Sequence, residues 1–188
     1  MSIQKNWINF LYNTSRRTSK VRNLLTPIGV FIFGIFTCSF VFAAIYVDNA
    51  LNFPKLDLAV WNQIISTLLL ILGLVFVIWS VIYFLKVKGT PVPINPPPTL
   101  VSNGPYAYTR NPMLTGVFFL LFGIGFLISS FSLVFVLTPL FILANYWELK
   151  VIEEPELLKR LEEEYRIYKE KTPMFFPGLN QLLEKKRN

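Results

Sequence analysis

The chain has 188 residues, 53% of them hydrophobic and 16% aromatic, with a formal net charge of +7 and a mean hydropathy of +0.49. Soluble domains hold about 45–50% apolar residues, so this composition places the chain in a membrane. Histidine is absent and Cys38 is the sole cysteine, which excludes an internal disulfide, a Cys/His zinc site and a histidine general base, and no metal site is expected.

The first segment, residues 1–23, carries Lys5, Arg16, Arg17, Lys20 and Arg22 and no acid. Its apolar residues Ile3, Trp7, Ile8 and Leu11 fall at helical spacing, which predicts a short amphipathic helix on the membrane surface. Basic residues beside a span set topology, so the positive charge is read that way and no nucleic-acid partner is expected. Residues 24–85 hold the first two spans. Leu24 to Val47 and Leu58 to Leu85 are free of charge, and at about 1.5 Å per residue each covers a hydrocarbon core of about 30 Å. Asp48, Pro54, Lys55 and Asp57 lie in the polar connection between them.

Residues 86–112 form a long loop with Lys86, Lys88 and Arg110 and no acid. Pro91, Pro93, Pro96, Pro97, Pro98, Pro105 and Pro112 rule out a helix or a central strand. Proline richness alone fits a linker; Leu100, Val101, Tyr106 and Tyr108 favour an ordered, packed loop. Met113 to Trp147 then runs 35 residues without a charge, too long for one crossing of about 20 residues. Ser129, Ser130 and Ser132 cluster near its middle, so residues 113–147 are read as a helical hairpin. The competing reading, one long tilted helix, would leave those serines in lipid.

The last segment, residues 148–188, opens with Glu148, Glu153 and Glu154. Leu157, Leu158, Leu161, Tyr165 and Tyr168 form an apolar stripe, with Glu162 placed to pair with Arg166 one turn on. This predicts a C-terminal amphipathic helix, ended by Thr172-Pro173. The chain is thus an all-α integral membrane protein of a single domain, with about four transmembrane helices, an ordered cytosolic loop and a C-terminal amphipathic helix. The distribution of Lys and Arg puts both termini and the long loop on the cytoplasmic side, as expected in a plasma (inner) membrane. The bilayer is its first partner, and the oligomeric state stays open.

Two polar patches frame the last hairpin. At the first, Asn111-Pro112 reads as a helix start, with Asn at the cap and Pro at the first helical position. Arg110 beside that helix N-terminus is either an interfacial anchor or part of an anion site. At the second, Glu153, Glu154 and Pro155 read either as another helix start or as acids aimed inward, where a charge at a span is costly and functional. Together Arg110, Tyr106, Tyr108, Glu153 and Glu154 offer a cation, two aromatic faces and hydroxyl-binding carboxylates, a set suited to a zwitterionic ligand bearing a nucleoside.

The run Thr99-Leu100-Val101, then Gly104-Pro105-Tyr106, then Arg110-Asn111-Pro112-Met113 with Gly116, followed by Glu153-Glu154 and Glu163-Glu164-Tyr165 with Tyr168, resembles the isoprenylcysteine carboxyl methyltransferase and phospholipid methyltransferase superfamily. The resemblance covers Pro91 to Pro177. It implies S-adenosylmethionine as cofactor on the cytosolic side, and a lipophilic acceptor, an isoprenylcysteine carboxylate-like group or a lipid, arriving from the bilayer. The resemblance implies cofactor contacts at Pro98, Thr99, Leu100, Val101, Tyr106, Asn111, Pro112, Met113, Leu114 and Glu153; Gly104, Tyr108, Arg110 and Glu154 join them as expected cofactor-binding residues, and charge and resemblance together put Arg110 and Glu153 in the catalytic roles. Pro98 and Asn111 stand where the superfamily has histidine, Leu114 where it has tyrosine, and Leu149 where its carboxylate-methylating members have arginine. Methyl transfer from a sulfonium needs in-line approach and exclusion of water more than a strong base, so a chain without histidine can perform it. Two alternatives remain at this point: an NADPH-dependent reductase of the sterol or steroid type, and a non-catalytic membrane scaffold that keeps the fold.

Overall fold

The computed structural model describes residues 2–15, 19–86, 97 and 99–176. The expectations for Arg16, Arg17, Lys88, Pro91, Pro93, Pro96, Pro98 and Pro177 fall outside the described residues. Within them the chain is all helical, with α1 (Ser2–Ser15), α2 (Ser19–Ala50), α3 (Val60–Lys86), a 3-10 turn at Gly104–Ala107, α4 (Pro112–Leu127), α5 (Thr138–Glu148) and α6 (Glu154–Lys171). Thr26–Ala50, Val60–Lys86 and Leu133–Lys171 are long and apolar enough to cross a membrane, and the 16-residue α4 is a shorter apolar helix beside them.

The hairpin expected between residues 113 and 147 is present. Its turn is made by Ile128 to Ser132, with Ser129 in the left-handed region at φ 53°. The serines are not left in lipid, because the first connection reaches across to them. Asp48 accepts from the Ser130 hydroxyl and, at 2.9 Å, from the Ser132 amide; the Ser132 hydroxyl donates to the Ala44 carbonyl at 3.0 Å. Backbone donors that open a helix lack intrahelical partners, and here a carboxylate on another span meets them.

The largest interface joins α3 to α4. Gly73 and Gly116 face each other there: a methyl group added at either would lie 2.8 Å from the other's carbonyl oxygen. Between membrane helices, which gain little from burying apolar surface, such small residues let backbones approach and pack. Phe141 of α5 gathers Phe33, Phe36 and Phe40 of α2 and Phe118 of α4, with ring centroids 5.0–6.3 Å away. Phe118 in turn meets Phe175 at 5.0 Å.

From Leu133 the helical path runs through Glu153-Glu154-Pro155 to a kink at Glu162 and on to Lys171, which corrects the reading of Glu153-Glu154-Pro155 as a free helix start. Two wide π turns interrupt it, at Leu133–Leu137 and Leu149–Glu153. Each is followed within two residues by a proline, Pro139 and Pro155. Proline lacks the N–H of the i→i−4 bond and crowds the carbonyl four residues back; a turn widened by one residue accommodates it without ending the helix. The path spans 39 residues, about 59 Å at 1.5 Å per residue, roughly twice a hydrocarbon core. Its charge-free part, Leu133 to Trp147, is about 22 Å long at the same rise and is the part apolar enough to enter a bilayer, whereas the longer part from Glu148 onward is charged.

That charged part differs in detail from the sequence reading. Arg166 pairs with Glu163 at 2.7 Å rather than with Glu162, because Glu162 adopts φ 47°, ψ −120° and breaks the helical spacing. The N-terminal helix α1 does form, and it buries Leu11 and Thr14 against the protein while Trp7 is 51% exposed.

Candidate functional site

After α6 the chain turns back at Thr172 and runs extended beside the loop that precedes α4. The amides of Arg110 and Asn111 donate to the carbonyls of Pro173 (2.9 Å) and Met174 (3.1 Å). Thr109 Oγ1 donates to Met174 O at 2.8 Å, and Thr115 Oγ1 to Phe175 O at 2.9 Å. Tyr168 Oη donates to the Tyr106 carbonyl at 2.7 Å, and Arg160 Nη1 to the Pro97 carbonyl at 3.1 Å. The described part of the loop, Thr99 to Asn111, is therefore ordered by α6 and the segment behind it. Asn111 precedes the first turn of α4, with Pro112 in that turn as expected, but its side chain does not cap the helix. It donates to Met174 O at 3.3 Å, and the Asn111 carbonyl accepts from the Thr115 amide at 3.0 Å.

Loop, α4, α5 and α6 surround a cavity of about 460 Å³, which α2 closes on the membrane side. The loop contributes Pro97, Thr99, Leu100, Val101, Tyr106, Arg110 and Asn111; α4 contributes Met113 and Leu114. The last helical path adds Ala144, Asn145, Glu148, Leu149, Glu153, Glu154, Leu157, Arg160, Leu161, Tyr165 and Tyr168. Gly29, Val30, Phe33 and Phe36 of α2 and Phe84 of α3 complete the wall. Ten residues singled out in the sequence thus meet at one cavity: Thr99, Leu100, Val101, Tyr106, Arg110, Asn111, Met113, Leu114, Glu153 and Glu154. Gly104, Tyr108 and Pro112 do not line it. Gly104, at φ 61°, rests on the Tyr83 ring so closely that a Cβ would lie 2.3 Å from it. Tyr108 lies beside Trp79, centroids 6.4 Å apart, and Pro112 is buried in the first turn of α4.

The charges are unevenly compensated. Arg110 Nη1 pairs with Glu154, whose second oxygen takes Lys169 at 2.6 Å; Arg160 pairs with Glu156 at 3.0 Å. Arg110 is therefore not a free cation at a helix N-terminus, since Glu154 already occupies it, yet its buried Nε has no partner. Glu148 and Glu153 take part in none of the ion pairs among the described residues. Burial raises the Glu153 carboxyl above the usual carboxylate range, and the nearby Glu148 adds to the shift. Burial likewise pushes the Tyr106, Tyr165 and Tyr168 phenols far up, so all three stay neutral hydrogen-bonding groups.

The sequence reading missed part of the cavity wall. Glu148 was marked only as part of an acidic patch, and Asn145 not at all, although an amide inside an apolar stretch is itself a signal. The α2 contribution had no local signature, because Gly29, Val30, Phe33 and Phe36 are ordinary span residues.

The cavity is thus lined by apolar residues of α2 and by charged and aromatic residues of the loop and the last helical path. Residues 61–164 match the phospholipid methyltransferase family, and the chain belongs to it. The protein is therefore an integral membrane protein with a methyltransferase domain. No curated relative and no solved structure matches the chain.

The residues present fit S-adenosylmethionine, the cofactor that the earlier resemblance implies. The unpartnered Arg110 Nε suits a carboxylate, because a buried charged donor left unmade is expensive. Tyr106, Tyr165 and Tyr168 suit a sulfonium or an adenine face, and the free carboxylates Glu148 and Glu153 suit an ammonium, a sulfonium or ribose hydroxyls.

Proposed function

We propose that this protein transfers a methyl group from S-adenosylmethionine to a lipid-borne acceptor whose nucleophile is an amine or another neutral group rather than a carboxylate. The observation that carries this reading is the pairing in the cavity: both arginines that line it are matched by acids, whereas Glu148 and Glu153 have no ion-pair partner among the described residues. A carboxylate acceptor would lie against two acids, Glu148 and Glu153, the second of which holds its proton above the usual carboxylate range, and Leu149 stands where an arginine would receive it. An amine, in contrast, gains from the two acids as it becomes cationic.

In this reading Arg110, through Nε, and Glu153 hold the polar ends of the cofactor, and the tyrosines face its cation. The cofactor supplies a methyl group already activated by positive sulfur. Glu148, which lines the same cavity as the α2 residues, orients the acceptor nitrogen and accepts the proton it releases at a carboxylate oxygen. Phe33, Phe36 and Val30 receive the acceptor's hydrocarbon part and keep water from the reacting atoms. The excess of Lys and Arg in residues 1–23 and 86–112 supports an arrangement with both termini and the cavity mouth on the cytoplasmic face of a plasma membrane.

The test is titration of the purified, lipid-embedded protein with labelled S-adenosylmethionine, followed by mass spectrometry of lipids from cells with and without the protein. Saturable binding and a lipid heavier by one CH₂ are expected. A folded sample that binds no cofactor refutes the reading, as would methylation confined to carboxylates.

A further inference from the structure

We propose that Gln4, on the N-terminal helix α1, is a positioning residue that aims Glu148 and Glu153 into the same cavity. The proposal rests on the functional reading above for its kinetic consequence, but its structural core is independent of the cofactor.

Glu148 and Glu153 are five residues apart. On a regular α-helix, with 3.6 residues per turn, they would point about 140° away from each other. Both nonetheless line one cavity. The reason is the π turn at Leu149–Glu153, whose i→i+5 bonding sets residue i+5 above residue i. The convergence of the two carboxylates is therefore a property of that turn, and whatever fixes the turn fixes the pair.

Pro155 leaves the turn one hydrogen bond short. It has no N–H for the Val151 carbonyl four residues back, and its ring crowds that oxygen. Gln4 Nε2 donates to this same Val151 carbonyl at 2.9 Å. Two further contacts keep α1 in reach: Lys159 of α6 donates to Asn9 Oδ1 at 2.9 Å and lies 4.2 Å from the Tyr12 ring centroid. Residues 2–15 lie outside the family match, which begins at residue 61. A helix beyond the shared methyltransferase domain thus supports the turn that carries two of its cavity acids.

The test uses the full chain in lipid nanodiscs. Gln4→Met keeps the length but loses the donor, Gln4→Lys keeps a donor, and Pro155→Ala restores an N–H to the turn. Two readouts are needed. One is the pH titration of the carboxyl infrared band, assigned with Glu148→Gln and Glu153→Gln against the neighbouring Glu154, Glu156 and Arg160. The other is the dissociation constant for S-adenosylmethionine. If the two acids converge as proposed, the native chain should titrate them as a coupled pair. Gln4→Met should uncouple them and weaken cofactor binding about fivefold, the net worth of one hydrogen bond, with the unfolding midpoint unchanged. Gln4→Lys should restore both, and Gln4→Met should add nothing in the Pro155→Ala background. Coupled titration that survives Gln4→Met, or a Gln4→Met effect undiminished in Pro155→Ala, overturns the proposal. Failure of the native chain to bind the cofactor overturns the functional reading instead, and the infrared titration still decides on Gln4.

Discussion

Glu154 carries two cations at once, and this asymmetry yields a prediction with a definite order. Its side chain is 6% exposed and that of Arg110 10% exposed, whereas Lys169 is 37% exposed. Glu154→Gln keeps the shape but removes the charge. Lys169 then turns to water at little cost, but Arg110 is left buried without its charge partner, holding only neutral acceptors, the new amide oxygen and the Tyr165 hydroxyl at 3.4 Å, and an unpartnered Nε. Removing one partner of a buried pair costs about 3–5 kcal/mol, and the lower figure applies here because Arg110 borders a cavity that admits water. At about 2–4 °C per kcal/mol for a chain of this size, the unfolding midpoint should fall by about 6–12 °C. Arg110→Met removes the other partner, but Glu154 keeps Lys169, so the loss should be smaller, about 1–2 kcal/mol. Cofactor binding should show the opposite order: Arg110→Met abolishes the carboxylate contact, whereas Glu154→Gln keeps a guanidinium to offer. Thermal unfolding followed by intrinsic fluorescence, and binding of labelled cofactor, measure the two orders in the same preparations. If Arg110→Met destabilises as much as Glu154→Gln, the claim that Glu154 is doubly compensated is wrong. If Glu154→Gln loses binding while Arg110→Met keeps it, the role given to Arg110 fails as well.

Three other outcomes follow from particular contacts. Gly116→Val should cost about 1–3 kcal/mol by forcing α3 and α4 apart, whereas Gly34→Ala, with nothing within 4 Å of the new methyl, should be neutral or slightly stabilising; unfolding in detergent compares them. Asp48→Ala should loosen the hairpin turn at Ser130 and Ser132 by about 2 kcal/mol, read as faster amide exchange at Ser132 and Leu133, and unchanged exchange would count against that anchor. Because burial raises the Glu153 carboxyl, the folded chain holds its proton above the ordinary carboxylate range. Cofactor binding, which needs the anion, should then strengthen as pH rises through that raised value, while stability falls over the same interval because the folded state binds the extra proton. Glu153→Gln should flatten both profiles.

How much of this was legible in advance differs by element. The spans at residues 24–85 were readable because a charge-free run longer than the hydrocarbon core has few other fates. The hairpin was readable from Ser129, Ser130 and Ser132, though its anchor was not: nothing near Asp48 announces that it caps a turn 82 residues further on. The Arg110 and Glu153-Glu154 patches were readable as a pair through their order along the chain, and all three side chains line one cavity. Gly104 was misplaced because a glycine beside a site looks the same whether it meets a ligand or, as here, the Tyr83 ring.

The sequence by itself determined that this chain is a helical membrane protein with two polar patches framing its last hairpin, because hydropathy and charge act residue by residue and survive without coordinates. Which side chains face one another depended on tertiary structure. Glu148 and Glu153 converge only through a π turn, Arg110 is neutralised by an acid 44 residues away, and the cavity wall is completed by α2 residues that carry no chemical signature. Those facts belong to helix rotation and packing, which a change of one residue per turn reverses, and no local pattern of residue types encodes them.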